Sequence, residues 1–409
     1  MKQLDFGRYN STEWREFKRI YREMFWDEVE DRVIEEAKRM LQEQIYEEFE
    51  MQIGAGRYER TESRRDERNG KRFRSFEISA GRIEELVIPR ARKLAIRFSV
   101  FERWQRVQGR VLVALLKAYL LSRSSSCAVE IVEAFGHSRF SRSFLQRLVH
   151  QFEERLREYH TRPIRNWPYV FIDGMVVNVK DVYLKEKVVI FAVGMDDERR
   201  CEMLDWVVAD GEDEGSVRGL LMDLKRRGLS GPKLFISDDS GGIVSALRME
   251  YPHAVWQSCA FHKVSGIQRH LKDVSNRKEI LREAGDIYTL SRTKTEAIRR
   301  FKAFRSRWRR REPEAVRLFC RGFEDTIRYF DFPRHMWVSL RTNNPMEQLI
   351  GKLRQWTSRF NYFQGYTNLE LAIFTFVCYK AGELVPVQNQ QSKKKGDDES
   401  RKNPTLFVA

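Results

Sequence analysis

The sequence has no long apolar run, and this absence excludes one large class of proteins. No uninterrupted apolar stretch approaches the roughly 20 residues that a helix needs to cross a bilayer, and the mean hydropathy is −0.58. The first ten residues, MKQLDFGRYN, also lack the apolar core of a signal peptide. These absences predict a soluble, cytoplasmic protein.

Cysteine is scarce as well. The chain has five cysteines, an odd number, and they lie far apart at Cys127, Cys201, Cys259, Cys320 and Cys378. Such a pattern does not form a disulfide framework and is typical of a reducing compartment.

Acidic residues are in deficit. There are 59 Asp plus Glu against 75 Lys plus Arg, which gives a formal charge of +16. A surplus of this size on a folded chain favours a polyanionic partner, most often nucleic acid. The chain is not a basic tail, because 409 residues with 42% hydrophobic residues predict two to three domains with real cores.

The N-terminal region, residues 1–100, is predicted to be a long helix followed by a basic arm. Apolar residues recur at spacings of three and four over 12–52, which is the period of an amphipathic helix. The apolar face must pack on something, and periodicity leaves two alternatives open, an intramolecular helical hairpin or a dimer contact. Residues 57–74 are Arg-rich with few apolar side chains, which predicts a loop or arm that a charged partner orders.

Residues 101–160 read as a helix-turn-helix-like DNA-binding region. Helical patterns cover 111–121 and 124–135, a break follows at Gly136, and a third helix begins near Ser141. In the third helix an apolar face opposes a polar one. The predicted DNA contacts here are Arg139, Arg142 and Arg147. Short helix pairs are also common in α-rich proteins that do not bind DNA.

From Trp167 the pattern changes to that of strands. Three β-rich segments precede a helix-strand-helix-strand series, and this order predicts an α/β protein with an RNase H-like mixed sheet over 161–273 and 339–380. The strands are predicted over 169–177, 188–193, 203–208, 233–237 and 254–256, and the helices over 212–227 and 241–251.

Residues 274–338 are predicted to be an all-helical insertion, and 381–409 a flexible tail. Thr293 and Glu296 form a capping box, and Pro313 fits the first turn of a helix. Between residues 293 and 311 there are nine Lys or Arg and one acid, a ratio too uneven for self-pairing, which favours a phosphate-contacting face.

Three acidic residues are candidates for a catalytic centre. Two-metal phosphoryl transfer needs several carboxylates in one place, because hard Mg²⁺ takes oxygen ligands. Asp173 interrupts an apolar strand, Asp238 follows the carboxyl end of another, and Glu347 lies on a helix over 345–360. Taken singly, each is equally a cap or a surface acid, and the sequence does not separate Asp238 from Asp239.

Five short motifs follow one another along the chain. They are Arg68-Asn69-Gly70 through Phe101-Glu102-Arg103-Trp104-Gln105-Arg106, Arg162-Pro163-Ile164 to Asp173-Gly174, Ile236-Ser237-Asp238, Cys259-Ala260-Phe261-His262, and Thr342-Asn343-Asn344-Pro345-Met346-Glu347. In this order they resemble the motifs of the Mutator-like DDE transposases of prokaryotic insertion sequences. Two departures are visible, since Asp239-Ser240 stand where the family usually has Gly-His, and Gln348 stands where it usually has Arg.

The resemblance implies a function as well as a fold. It implies that Asp173, Asp238 and Glu347 bind Mg²⁺, with Mn²⁺ as a substitute, and that Cys259 and His262 act near the catalytic centre. It also implies double-stranded DNA as substrate, both at the terminal inverted repeats of the element and at the target. Bringing two ends together implies at least a homodimer, and acting on DNA implies a place at the nucleoid.

The sequence leaves several alternatives open. A Cys-x-x-His pair is half of a zinc site, but no second pair follows at finger spacing, so a buried thiol and a hydrogen-bonded histidine are expected. A non-catalytic DNA-binding protein derived from a transposase, and an RNase H-fold nuclease without strand transfer, are the alternative functions. Further DNA contacts are predicted at Arg299, Arg300, Arg307, Arg310, Lys352, Arg354 and Arg359.

Overall fold

A computed structural model describes residues 11–100, 107–135 and 140–381. The predicted tail from residue 382 onward, the motif at 101–106 and Arg139 therefore lie outside the described residues. The chain divides into two compact units that meet at residues 152 and 153, inside one helix. The predicted boundary at 160 lies further along the same helix. No helix in the described ranges is long and apolar enough to span a membrane.

The first unit combines helices with a β-hairpin. Its antiparallel two-stranded sheet pairs β1 with β2. The elements are α1 (Ser11–Ile53), β1 (Arg68–Ile78), β2 (Gly81–Ala91), α2 (Gly109–Ser122), α3 (Ser125–Phe135) and the start of α4 (Arg142–Thr161).

The hairpin is absent from the sequence prediction, which gives residues 1–100 a long helix and a basic arm. Strand β1 begins at Arg68, inside the stretch 57–74 that was predicted as an arm. The pairing register shifts between Arg74 and Phe76, so an irregularity interrupts the strand. Because such an irregularity breaks the alternation of apolar and polar residues, the period-two signal of a strand is hidden in the sequence.

The long helix α1 is present with nearly its predicted bounds. Its C-terminal half packs on the hairpin, where Ile45, Phe76, Ile83, Leu86 and Ile88 form a buried cluster. The apolar face is thus covered intramolecularly there, by strands rather than by the predicted partner helix. Further toward the N-terminus, Ile20, Met24 and Trp26 are exposed.

The helices α2, α3 and α4 cover the helical segments predicted over 111–121, over 124–135 and from near Ser141, and the predicted break at Gly136 lies outside the described residues. Leu145 and Leu148 of α4 are buried, whereas Arg142 and Arg147 are exposed. The amphipathic assignment of α4 is therefore confirmed, and DNA binding by this region stays a prediction.

The second unit is a mixed α/β domain, as the sequence predicts. Its first part contains β3 (Tyr169–Lys180), β4 (Leu184–Met195), β5 (Cys201–Ala209), α5 (Glu214–Arg226), β6 (Leu234–Ser237), α6 (Gly241–Glu250), β7 (Val255–Ser258) and α7 (Ala260–Ile267). Strand β4 is antiparallel to both β3 and β5, β6 pairs in parallel with β3, and β7 pairs in parallel with β6.

The strand order in the main sheet is β5-β4-β3-β6-β7, and β8 (Phe363–Gln364) also pairs with β3. The core packs between the sheet and helices α5 and α6, around side chains such as Val170, Phe235, Leu221 and Leu247. The segments 234–237 and 255–258 are short strands with largely buried side chains. A central strand of this kind brings its carboxyl end, and whatever follows it, to one edge of the sheet.

The region after β7 is helical apart from β8, and this includes residues 274–338, which the sequence predicts to be helical. It contains α8 (Arg277–Thr289), α9 (Lys294–Trp308), α10 (Pro313–Cys320), α11 (Trp337–Leu340), α12 (Asn344–Thr357) and α13 (Gly365–Ala381), with 3₁₀ turns at Gln268–His270, Val274–Asn276, Phe323–Asp331 and Arg334–Met336.

Both predicted helix starts in this region are present. The hydroxyl of Thr293 accepts the Glu296 N–H at 3.1 Å and caps α9, and Pro313 opens α10. These local signals are reliable because capping and first-turn proline depend on nearest neighbours along the chain.

Candidate active site

The site lies at the edge of the main sheet where β3 and β6 run in parallel. Phe171 of β3 pairs with Ile236 of β6, and two residues further on in each chain segment come Asp173 and Asp238. The sheet register therefore places these two acidic residues side by side. This placement needs tertiary structure, because 64 residues separate them in the sequence.

Asp173 is held in the strand by its own backbone neighbour. The Gly174 N–H donates a hydrogen bond to Asp173 Oδ1 at 2.9 Å. Burial raises the pKa of Asp173 to about 6, and the positive charge of His262 and the Gly174 hydrogen bond oppose the rise. The charges of Asp238 and Glu347 add to it, so both of these carboxylates lie near Asp173.

Asp238 and Asp239, which the sequence does not distinguish, have different surroundings. Asp238 is half-buried, and burial raises its pKa while His262 opposes the rise. Asp239 is exposed, and its Oδ2 lies 3.6 Å from the Lys263 ammonium. Of the two, Asp238 thus faces the Asp173 site and Asp239 is paired with a lysine.

Glu347 comes to the site from α12. Asn343 precedes the helix, and its carbonyl accepts the Glu347 N–H at 2.8 Å. Glu347 Oε1 is buried, and no hydrogen-bond donor among the described residues reaches it. The nearest cationic group is His262, whose Nε2 lies 3.8 Å away.

The Cys-x-x-His motif joins α7 to the segment before α12. Cys259 is fully buried, its N–H donates to the Ser237 carbonyl at 2.8 Å, and its sulfur accepts the Asn343 N–H at 3.3 Å. The next residue donates its N–H to the Arg341 carbonyl at 3.1 Å. Cys259 therefore fixes the position of the turn that carries Glu347.

His262 supplies positive charge to this site. Its contact with the Cys259 side chain raises the pKa of His262 to about 9, against the effect of burial, and Asp173 and Glu347 add to the rise. Sγ of Cys259, a ring nitrogen of His262 and an oxygen of Glu347 lie within 4.8 Å of one another. A protonated imidazole has no free lone pair and neutralises carboxylates, whereas the neutral imidazole has a lone pair for a metal ion.

One carboxylate near the site is absent from the sequence prediction. The pKa of Glu212 is raised by burial and then by the charges of Asp238 and Asp173. The sequence places Glu212 at the start of a predicted helix over 212–227, but α5 begins at Glu214 and is capped by Asp213, whose side chain accepts the Ser216 N–H. The only available sequence signal is the run of acids from Asp210 to Glu214, which also fits a helix N-terminus.

The predicted DNA-contacting residues are placed on several elements. Arg142, Arg147, Arg299, Arg310, Lys352, Arg354 and Arg359 are exposed, and Arg300 is half-buried beside Glu296 at 2.9 Å. Lys352 and Gln348 line a cavity of about 460 Å³ together with Arg199, Arg200 and Lys380.

Arg307, one of the predicted DNA contacts, is paired with acids that lie outside its own basic run. Its guanidinium forms ion pairs with Glu279 and Glu283 of α8. The acids come from a neighbouring helix, so a count within residues 293–311 cannot include them. The aromatic rings beyond Glu347 are also engaged, since Trp356 stacks on Tyr379 at 5.5 Å and Phe360 on Phe363 at 4.9 Å.

Comparisons with known proteins give the family. The profile described as Transposase, Mutator family, matches residues 10–378. The transposase for insertion sequence element IS406 of Burkholderia multivorans is 29% identical over 308 residues, which cover 75% of this chain and 79% of that protein. The transposase for insertion sequence element ISRM5 of Rhizobium meliloti is 27% identical over 329 residues, 80% of this chain and 82% of its own length.

A third relative matches a shorter part. The transposase for insertion sequence element IS256 in transposon Tn4001 of Staphylococcus aureus is 33% identical over 218 residues, 53% of this chain and 56% of that protein. The profile match spans nearly all of the 409 residues. The chain belongs to the Mutator family of transposases.

Proposed function

We propose that this protein is an active DDE transposase with an RNase H-like catalytic domain. The observation that carries the proposal is the approach of Asp173 from β3, Asp238 from the end of β6 and Glu347 from α12, close enough that their charges act on one another. Antiparallel strands β5-β4-β3 followed by parallel β6 and β7 support the fold assignment.

The donor set fits a hard divalent cation. The charges of Asp238 and Glu347 act on Asp173, and the buried Glu347 Oε1 has no hydrogen-bond donor among the described residues. Asp173, Asp238 and Glu347 would hold Mg²⁺ or Mn²⁺, since oxygen ligands suit both ions. When bound, such ions stabilise negative charge on the attacking and leaving oxygens of a phosphodiester.

The protein's own groups position the reaction. The hydrogen bond between the Asn343 N–H and the Cys259 sulfur holds the turn that carries Glu347. The imidazolium of His262 balances part of the negative charge beside Asp173 and Glu347. In the proposed reaction, water first hydrolyses one strand at the element end. The freed 3′-hydroxyl then attacks a phosphodiester of target DNA, and the target strand's own 3′-oxygen leaves.

The substrate is proposed to be double-stranded DNA, at terminal inverted repeats and at target sites, which places the protein at the nucleoid. Exposed arginines and lysines on α4, α9 and α12 are available for phosphate contacts. Synapsis of two element ends needs at least a homodimer, and the exposed apolar residues near the start of α1 are the proposed contact.

A cleavage and joining assay tests this function. Labelled DNA with candidate ends is incubated with Mg²⁺ or Mn²⁺ and the full chain, Asp173→Asn, Asp238→Asn or the matched control Asp239→Asn. Cleavage and joining that are lost in D173N and D238N but retained in D239N support the proposal. Cleavage without joining identifies a nuclease, and bound but intact DNA identifies a non-catalytic binding protein.

The basic surface is tested separately with two arginines of the same region. Arg310 is exposed and has no ion pair among the described residues, whereas Arg307 is paired with α8. We expect Arg310→Ala to weaken DNA binding uniformly across sequences and to lower the salt slope by about one counterion. Arg307→Ala should change the salt slope less, and equal slopes for both variants and the wild type would exclude this surface from DNA contact.

A further inference from the structure

We propose that Glu212 is a fourth carboxylate of the metal-binding site, supplied by the segment between β5 and α5. The inference rests on the proposed function, because it adds a ligand to the site of Asp173, Asp238 and Glu347. The geometry that points to it involves two glycines whose missing side chains admit the Glu212 segment.

Gly174 makes room for the Glu212 carboxylate. A Cβ atom built on Gly174 would lie 2.1 Å from Glu212 Oε1 and 2.9 Å from a methyl carbon of Val188. The carboxylate therefore lies directly against β3, next to Asp173. Any other residue at position 174 would displace Glu212 or distort the strand, since real Cβ atoms do not approach other atoms so closely.

Gly242 makes room for the backbone of the same segment. A Cβ on Gly242, in the first turn of α6, would lie 2.3 Å from the Glu212 carbonyl oxygen and 2.9 Å from the Glu214 nitrogen. Asp213 caps α5 through the Ser216 N–H at 2.9 Å. The backbone on both sides of Glu212 is thus fixed, and its side chain is directed to the sheet edge instead of to solvent.

A second, independent observation concerns buried acceptors without donors near Glu347. Asn343, whose backbone N–H contacts the Cys259 sulfur, is fully buried, and its side-chain Oδ1 and Nδ2 have no hydrogen-bond partner among the described residues. Glu347 Oε1 is also buried and has no hydrogen-bond partner among the described residues. Buried acceptors without donors are costly, and a cation that they bind removes the cost.

The local charge agrees with this requirement. Glu212, Asp173, Asp238 and Glu347 bring four carboxylates together, and His262 brings one imidazolium. The pKa of Glu212 is raised by its burial and then by the charges of Asp238 and Asp173, which agrees with the position of its carboxylate against Gly174.

The test measures metal binding rather than activity. Mn²⁺ is titrated into the full chain and followed by electron paramagnetic resonance of the free ion, at constant pH 7.5. The variants are Glu212→Gln, which keeps shape and removes charge, and Glu214→Gln, the matched control two residues along in the first turn of α5. We expect E212Q to weaken Mn²⁺ binding by about 10- to 100-fold, and E214Q to bind like the wild type.

Gly174→Ala provides a second approach to the same carboxylate. Its methyl group occupies the position of Glu212 Oε1, so it should also weaken Mn²⁺ binding. Because both changes act on one ligand, the double variant G174A/E212Q should bind Mn²⁺ about as weakly as E212Q alone. Thermal unfolding without metal confirms that each variant is folded before binding is compared.

The outcomes separate this inference from the proposed function. If E212Q binds Mn²⁺ like the wild type while Asp173→Asn does not bind it, Glu212 is not a ligand and the three-carboxylate site stands. If D173N also binds like the wild type, the metal site itself is wrong. Equal weakening by E212Q and E214Q, or independent additive effects of G174A and E212Q, would show general electrostatics and overturn the assignment.

Discussion

The ionised side chain of Asp173 lowers the free energy of unfolding of the metal-free protein. Its folded pKa, about 6, lies above its usual value, so ionisation at neutral pH disfavours the folded state. Replacement by Asn removes this charge with little change of shape. Active sites commonly lose stability in this way to keep reactive groups together.

We expect Asp173→Asn to raise the free energy of unfolding without metal by on the order of 2 kcal/mol at pH 7.5. The gain should shrink as the pH falls through 6, because folded Asp173 is then protonated in the wild type. Urea unfolding at both pH values measures it, and the exposed Asp181→Asn is the control. A gain that is independent of pH would contradict the assigned pKa.

The raised pKa of His262 affects the stability of the folded protein in the opposite direction. Its folded pKa of about 9 is above its usual 6.5, so it contributes stability that is fully present below pH 6.5 and is lost as the pH rises through 9. His262→Gln should therefore lower the melting temperature of the metal-free protein at pH 6 more than at pH 9.5. An equal reduction at both pH values would mean that packing, and not charge, is what the histidine supplies.

At the residue scale the sequence indicates most residues of the candidate site but not Glu212. Asp173 interrupts an apolar strand, and the motifs that resemble the family indicate Asp238, Cys259, His262 and Glu347. Glu212 gave no such signal, because an acid before a helix is ordinary. Only the contact with Gly174 distinguishes it.

At the scale of elements, the N-terminal hairpin shows how a helix can replace a strand partner. The Gln42 side chain of α1 donates to the Val87 carbonyl and accepts the Val87 N–H, both at 2.8 Å. Gln52 makes the same pair of bonds to the backbone of Arg97. The two glutamines thus satisfy backbone groups on the segment that α1 covers.

We expect Gln42→Ala to destabilise the protein by about 1–3 kcal/mol, because two backbone groups lose their partner at a partly buried position. Chemical unfolding followed by circular dichroism measures the change. Gln44→Ala is the matched control, since its amide bonds only Glu48 of the same helix among the described residues. Equal losses in the two variants would show that helix propensity, not the bonds to β2, is responsible.

The elements that are predicted from neighbouring residues are present in the structure. The features that depend on distant parts of the chain are not predicted from the sequence. The cap of α9 and the start of α10 follow from adjacent residues. The hairpin at 68–91 and the pairing of Arg307 with α8 depend on contacts outside any short window. Periodicity and charge counts cannot register such partners.

For the whole molecule, the exposed start of α1 makes self-association testable. Ile20 and Met24 lie one helical turn apart and are 45% and 64% exposed. We expect Ile20→Glu combined with Met24→Glu to shift the full chain toward monomer in sedimentation velocity, and to reduce strand joining more than DNA binding. Met51→Glu, a change of an exposed methionine at the other end of α1, should leave association unchanged. If the wild-type chain is monomeric at micromolar concentration with and without DNA ends, the proposed dimer contact at the start of α1 is wrong.

The sequence by itself determined the charge, the order of helices and strands in the α/β unit, and the three acids with their Cys-x-x-His companion. These features rest on composition, local periodicity and short motifs, which are properties of neighbouring residues. The tertiary structure alone decided that Asp238 rather than Asp239 faces Asp173, that Arg307 is paired, and that the Glu212 carboxylate lies against Gly174. Each of these depends on strand register or on contact between distant segments, which packing of the whole chain sets.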